Sequence, residues 1–199
     1  MAGHADDLAA LLDALGVDAA HVAGISYGGE VAQAFALAYP FRVRSLFLAD
    51  TVSEVGPELR LIVEGWRSAA ALADPELFFR VTVPWNFSPA FIAAQPALLD
   101  AARARYHDLD FPAVVRLCDG FLTSVDFTPR LKEIAVPARI IVGELDLIKG
   151  PAYAGILHRG IPGSDLHVIP GAGHAMSWER PDLFNALLLD LVARSTSAT

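Results

Sequence analysis

His21-Val22-Ala23-Gly24-Ile25-Ser26-Tyr27-Gly28-Gly29-Glu30 is the stretch whose reading decides the fold. A short apolar run ends at a serine set between glycines. The chain then passes into Val31, Ala32, Phe35, Ala36 and Tyr39, apolar residues at helical spacing that stop at Pro40. The order is strand, sharp turn, helix. A serine on such a turn has its hydroxyl lifted clear of the sheet, and glycines on either side are expected because a Cβ would clash in so tight a bend. Ser26 is therefore a candidate nucleophile, provided the rest of the chain supplies a base and a group to orient it.

Working outward, Leu8, Leu11, Leu12 and Leu15 share one face of a helix that begins near Asp6 and stops at Gly16, with Asp6 and Asp7 near the positive end of its dipole. The run from His21 to Ile25 does not alternate, which suits a parallel strand covered on both faces, and Arg44 to Ala49 is a second such run. Helix, strand, helix, strand is the cadence of a doubly wound, mostly parallel α/β sheet. From Thr51 to about Arg130 the pattern turns helical and aromatic, cut by prolines at 57, 75, 84, 89, 96 and 112. This reads as a helical insertion over the sheet, giving a core of residues 1–50 and 131–199 and a cap of residues 51–130. The α/β rhythm resumes with a strand over 137–143, a helix around Tyr153 to Leu157, a strand over 166–170 and a last helix opened by Pro181. Residues 195–199 read as a frayed tail.

The totals narrow the function. The 199 residues carry a formal net charge of -8, the opposite of what a phosphate-tracking surface requires, so nucleic acid is not an expected partner. Mean hydropathy is high at +0.41. Even so, no apolar run reaches the roughly 18 to 20 residues of a membrane helix. The single cysteine, Cys118, excludes an internal disulfide and reads as a buried thiol. The first residues carry two acids and no basic cluster, unlike a secretory signal, so a cytoplasmic location is expected.

A serine hydroxyl needs a base within hydrogen-bond reach and a third group to orient that base. In an open α/β sheet these project from the carboxyl ends of different strands. Asp146, in Gly143-Glu144-Leu145-Asp146, and His174, in Gly171-Ala172-Gly173-His174, each lie one loop step past an apolar strand. Glu144 is a rival for the acid but sits inside the strand end. Glu30, in the first turn of the helix after Ser26, reads as a structural carboxylate favoured by the dipole. The remaining histidines, at 4, 21, 107, 158 and 167, show no metal-ligand spacing, and neither metal nor cofactor is expected. Trp66, Trp85, Phe87, Phe91 and Phe121 divide between the insertion's own core and a substrate pocket. Trp85 and Phe87 are the foremost pocket candidates because the prolines around them suggest an irregular segment.

With these motifs in hand, the chain resembles the α/β-hydrolase-fold family of esterases, enol-lactonases and carbon–carbon hydrolases. Gly24 to Gly29 resembles its nucleophile elbow, Gly143 to Asp146 its acid loop, Gly171 to His174 its histidine loop, and Arg42 to Asp50 the strand after the elbow helix. The resemblance runs from about His4 to Val192 and is weakest in the insertion, where such proteins carry a variable cap. It implies a serine hydrolase for a small ester, lactone or related carbonyl substrate, with Ser26, His174 and Asp146 as its triad and the backbone N–H of Tyr27 in the oxyanion hole. A carbon–carbon hydrolase, a cofactor-free haloperoxidase, or a catalytically weak scaffold binding a ligand or protein partner are the alternatives on the same frame. Nothing before Ser26 resembles the family's earlier strands or its His-Gly loop, so the chain reads as amino-terminally truncated. The strand ending at Ile25 is then expected to be a sheet edge, and the alternative to a truncated or mis-started hydrolase is a chain whose copies self-associate through that edge to cover the gap.

Overall fold

The computed structural model describes residues 1–196. Four parallel strands, β1 (Ala20–Ile25), β2 (Val43–Ala49), β3 (Ala138–Gly143) and β4 (Asp165–Ile169), lie side by side in chain order. Each parallel pair needs a crossover: α2 (Tyr27–Ala38) joins β1 to β2 and α8 (Pro151–Gly160) joins β3 to β4. The two faces separate by the two-residue period of a strand. Leu46 and Leu48 of β2 pack with Ala5, Phe35 and Leu157 from α1 (Ala2–Ala14), α2 and α8. Phe47 and Ala49 point the other way, onto Met176 of α9 (Met176–Glu179) and onto Phe184 and Leu191 of α10 (Pro181–Thr196). Helices on both faces of a parallel sheet are the doubly wound arrangement that the strand runs imply, and β1 is one edge of the described sheet.

Two local expectations change. α1 begins at Ala2, four residues before Asp6, so Asp6 and Asp7 lie beyond the first turn. Its buried stripe is Ala5, Ala9 and Leu12, whereas Leu11 and Leu15 are 53% and 65% exposed. The reason is close approach: α1 packs on the alanine-rich α2, and small side chains let two helices meet where leucines would hold them apart. At the other end α10 runs through Ser195 and Thr196, so these two residues are helical and not frayed. Residues 197–199 of that expected tail lie outside the described residues.

Between β2 and β3 stand five α-helices: α3 (Pro57–Ala71), α4 (Pro75–Asn86), α5 (Pro89–Ala94), α6 (Pro96–Tyr106) and α7 (Phe111–Ser124). The prolines at 57, 75, 89 and 96 each open a helix and Pro112 is the second residue of one, where the missing N–H costs nothing. Pro84 is different. It lies inside α4, which continues to Asn86, so the Val83 to Phe87 segment is not the irregular stretch expected. Its position near the helix end limits the loss to one intrahelical bond, and the end is tied down by Asn86 Nδ2 on the Thr82 carbonyl (2.8 Å) and by the Ala175 N–H on the Asn86 carbonyl (2.6 Å). The insertion's two chain crossings are also joined to each other, through a Glu54–Asp126 bridge and the Phe127 N–H on the Ser53 carbonyl.

Candidate active site

Ser26 sits between β1 and α2 with φ 51° and ψ -121°, held there by its N–H on the Ala49 carbonyl (2.9 Å) and by the Gly29 N–H on its own carbonyl (2.9 Å). Close packing, not the serine's own dihedrals, explains two of the three glycines. A Cβ on Gly24 would lie 2.3 Å from the Gly28 carbonyl oxygen, and one on Gly29 would lie 2.4 Å from the Thr51 hydroxyl. A Cβ on Gly28 meets nothing within 4 Å, so the expectation that both flanking glycines avoid a clash holds for Gly24 and fails for Gly28. Tyr27 is the first residue of α2, and its N–H therefore has no acceptor within the helix.

The carboxyl ends of β1, β3 and β4 bring three side chains into one line. His174 Nε2 is 2.8 Å from Ser26 Oγ, and its Nδ1 is 2.8 Å from Asp146 Oδ2. The other carboxylate oxygen of Asp146 accepts the N–H groups of Ile148 (2.8 Å) and Lys149 (2.9 Å). With Nδ1–H donating to the carboxylate, Nε2 carries the lone pair that accepts the serine O–H. Asp146 and His174 are 5% and 6% exposed. Burial acts to raise the Asp146 carboxyl, but the hydrogen bond and charge of His174, with the two backbone donors, outweigh it and hold the group below the usual carboxylate range.

Glu144 is not part of this line. Its carboxylate accepts the Gly171 N–H (2.9 Å) and so anchors the loop that carries the histidine. Glu179 does the same from the other side, accepting the Gly173 N–H (3.1 Å) together with the N–H (2.9 Å) and hydroxyl (2.6 Å) of Ser88, which ties the α4–α5 corner to the histidine loop. Asp50, at the end of β2, accepts the Gly143 N–H (2.9 Å) at the end of β3. Burial, reinforced by the charge of Asp146, pushes its carboxyl well above the usual range.

Glu30 is wholly buried, and what holds it is Lys149 more than the helix dipole. Lys149 Nζ lies 2.8 and 3.0 Å from the two Glu30 carboxylate oxygens, and the same carboxylate accepts the Thr51 hydroxyl and the Val52 N–H. Lys149 also lies over the Phe121 ring, 4.6 Å from its centroid. Beside Ser26, Lys149 of this pair borders a cavity of about 130 Å³. α7 supplies Val114, Leu117, Cys118 and Phe121 to it, α3 supplies Val63 and Trp66, and the acid loop supplies Ile148 and Lys149. Of the five aromatic candidates, Trp66 and Phe121 line this cavity and Trp85 and Phe87 do not. Trp85 is turned partly to solvent at the last turn of α4, and Phe87, just past that helix, stacks on Phe91 at 5.1 Å. The signal that would have found the wall is the 114, 117, 118, 121 spacing, one helical stripe. Among the described residues no group of three or more His, Cys, Asp or Glu side chains is placed to hold a metal ion.

A parallel sheet with a serine, a histidine and an aspartate aligned over its carboxyl ends defines a class of hydrolytic enzymes. A match to the alpha/beta hydrolase fold family over residues 1–181 makes the assignment definite. The chain belongs to the α/β-hydrolase fold family and is, at that level, a hydrolase. It is 32% identical over 187 residues to a protein of Azorhizobium caulinodans provisionally named carbamate hydrolase RutD, covering 93% of this chain and 70% of that one. It is 33% identical over 193 residues to a 2-hydroxy-6-oxononadienedioate/2-hydroxy-6-oxononatrienedioate hydrolase of Dechloromonas aromatica, covering 93% and 66%. Among solved structures, an α/β-hydrolase enzyme from a Medee basin deep-sea metagenome library superposes with a TM-score of 0.90 at 28% identity, covering 95% of this chain and 70% of that one. The chain thus spans about two thirds of the length of these relatives.

Proposed function

We propose that this chain cleaves a small ester, lactone or related carbonyl compound through an acyl-enzyme on Ser26. The observation that carries the reading is the unbroken hydrogen-bonded line from Ser26 Oγ through His174 to Asp146. As Ser26 Oγ bonds to the carbonyl carbon, its proton passes to His174 Nε2, and the imidazolium is stabilised by an Asp146 that stays ionised. The tetrahedral oxyanion is met by the Tyr27 N–H at the positive end of α2. Collapse expels the alcohol, which takes the proton from Nε2. A water molecule then repeats the sequence on the acyl-enzyme, with His174 as base, and the acid leaves. In this reading α3–α7 form a cap, residues 51–130, on a core of residues 1–50 and 131–199, and the cavity between α3, α7 and the acid loop receives the acyl group. Support for a cytoplasmic setting is the single cysteine.

A fluorophosphonate probe tests the reading directly. Folded protein should take up one adduct, mapped by mass spectrometry to Ser26, and Ser26→Ala should neither label nor hydrolyse p-nitrophenyl butyrate above background. Absence of an adduct, or equal labelling of Ser26→Ala, would refute it. The second reading, carbon–carbon hydrolysis on the same three residues, is favoured by the Dechloromonas relative's name. It predicts cleavage of a vinylogous diketone in preference to any simple ester.

A further inference from the structure

Lys149 lines the cavity beside Ser26 and Glu30 is buried against it, yet neither plays a part in the chemistry just described. Glu30 is entirely buried and Lys149 nearly so. Each is already saturated. Four donor contacts fall on the Glu30 carboxylate, from Thr51, Val52 and twice from Lys149, while the lysine rests its remaining side on the Phe121 ring. A lysine in such a place would ordinarily be read as an anchor for a substrate carboxylate. Here the cation is neutralised from within the protein at 2.8 Å, and an incoming anion would also face the charge of Glu30. Apart from Ser26, Tyr27 and Cys118, the rest of the wall, Val63, Trp66, Leu117, Phe121 and Ile148 among it, is apolar and offers little to repay the desolvation of a charge. The volume sets the size. At about 30 Å³ for a small group, and by comparison with a benzene-sized 150 Å³ cavity, 130 Å³ holds about four to six carbon atoms.

We infer that the acyl group this enzyme accepts is short, apolar and uncharged, and that the Glu30–Lys149 pair is the element that rejects carboxylate-bearing acyl groups. The inference rests on the proposal that Ser26 is the nucleophile. It makes Lys149 and Glu30 specificity-determining residues. Their substitution changes which acyl group is preferred, an effect that a purely structural role would not produce.

The test uses the full chain and p-nitrophenyl esters from acetate to decanoate, with valerate compared against its carboxylate-ended counterpart, hydrogen glutarate. kcat/KM should peak between butyrate and hexanoate and be about 10-fold lower at decanoate, the scale of misfit in an apolar pocket. Hydrogen glutarate should lie about 100-fold below valerate, as expected for an unpaired charge brought into an apolar site. Glu30→Gln, which leaves the lysine charge unbalanced, should raise the glutarate-to-valerate ratio by about 10-fold, on the scale of a charge-assisted hydrogen bond. Should that variant fail to fold, Leu117→Ala at the half-open rim keeps the size argument falsifiable, since it should move the optimum toward longer acyl chains. Glutarate hydrolysed as well as valerate by the native protein, or decanoate as the best substrate, would overturn the inference. Fluorophosphonate labelling separates the two levels. Labelled Ser26 with the wrong acyl profile sinks this inference alone, whereas an unlabelled Ser26 sinks the nucleophile reading and this inference with it.

Discussion

Replacing Asp146 by asparagine removes one negative charge and almost no volume, and the hydrogen bonds around it say how the amide must sit. Oδ1 accepts two backbone N–H groups, from Ile148 and Lys149, and only an oxygen can do so. The asparagine NH2 is thereby forced into the place of Oδ2, 2.8 Å from His174 Nδ1. Two donors cannot share that contact, so Nδ1 must become the acceptor and the ring proton must move to Nε2. There it faces Ser26 and blocks proton uptake. The lost charge adds to this. Two unit charges about 4 Å apart at an effective dielectric of about 20 interact by about 4 kcal/mol. That is close to three decades of rate at about 1.4 kcal/mol per decade. A fall of about 10³ to 10⁴ in kcat is expected, with the upper figure matching the known cost of the wrong tautomer in another serine hydrolase. The assay is p-nitrophenyl butyrate hydrolysis between pH 6 and 9, beside a thermal melt to show that the variant is folded. A folded Asp146→Asn enzyme within about 10-fold of the native kcat, on a scale where one general-base contribution is 10² or more, would refute the argument from Oδ1 onward.

Three further outcomes follow from the same coordinates. Gly24→Ala and Gly29→Ala should fail to accumulate as folded protein because each Cβ meets atoms closer than 2.5 Å, whereas Gly28→Ala should melt at or slightly above the native temperature, with a gain of up to about 1 kcal/mol from helix propensity. A Gly28→Ala protein as unstable as Gly24→Ala contradicts this. Asp50 has its folded carboxyl raised, so its contribution to stability is fully present below the unfolded value near 3.9 and is lost as pH rises through the elevated folded value. Asp50→Asn, tolerated at φ 48°, should therefore gain on the native melting temperature between pH 4 and 8, and a pH-independent difference would show that Asp50 is ionised throughout. Self-association through the outer edge of β1 should appear in light scattering as species larger than 21.2 kDa, and a clean monomer over a wide concentration range would rule it out.

The frame of the site was readable because its three parts are short and local. An apolar run followed by a turn with one chemical residue needs no knowledge of what packs against it, and Ser26, Asp146 and His174 are each of that kind. Their meeting could be expected from the sheet alone, since parallel strands put all their carboxyl ends on one side. What escaped depends on partners far along the chain. Lys149 is one more charged loop residue until Glu30, 119 positions away, is seen beneath it. The leucines of α1 outweigh its alanines on any hydropathy scale, yet the alanines face α2 because contact distance, not hydropathy, decides that interface. The prolines on either side of Trp85 and Phe87 suggest an irregular segment, but the helix accommodates Pro84 within its last turns, whereas the stripe at 114, 117, 118 and 121 that lines the cavity carries only one aromatic residue.

The dihedral angles of Ser26 bear on stability as well as on reach. A non-glycine residue at φ 51°, ψ -121° is held in a sparsely populated region at a cost of order 1–3 kcal/mol. Glycine would relieve that strain and alanine would not. Replacing the serine in these two ways should therefore give proteins of different robustness, with Ser26→Gly melting above Ser26→Ala. The native serine is a residue kept where the backbone would be calmer without it, and the difference between the two variants measures how much of the fold's cohesion is spent on holding one hydroxyl in place.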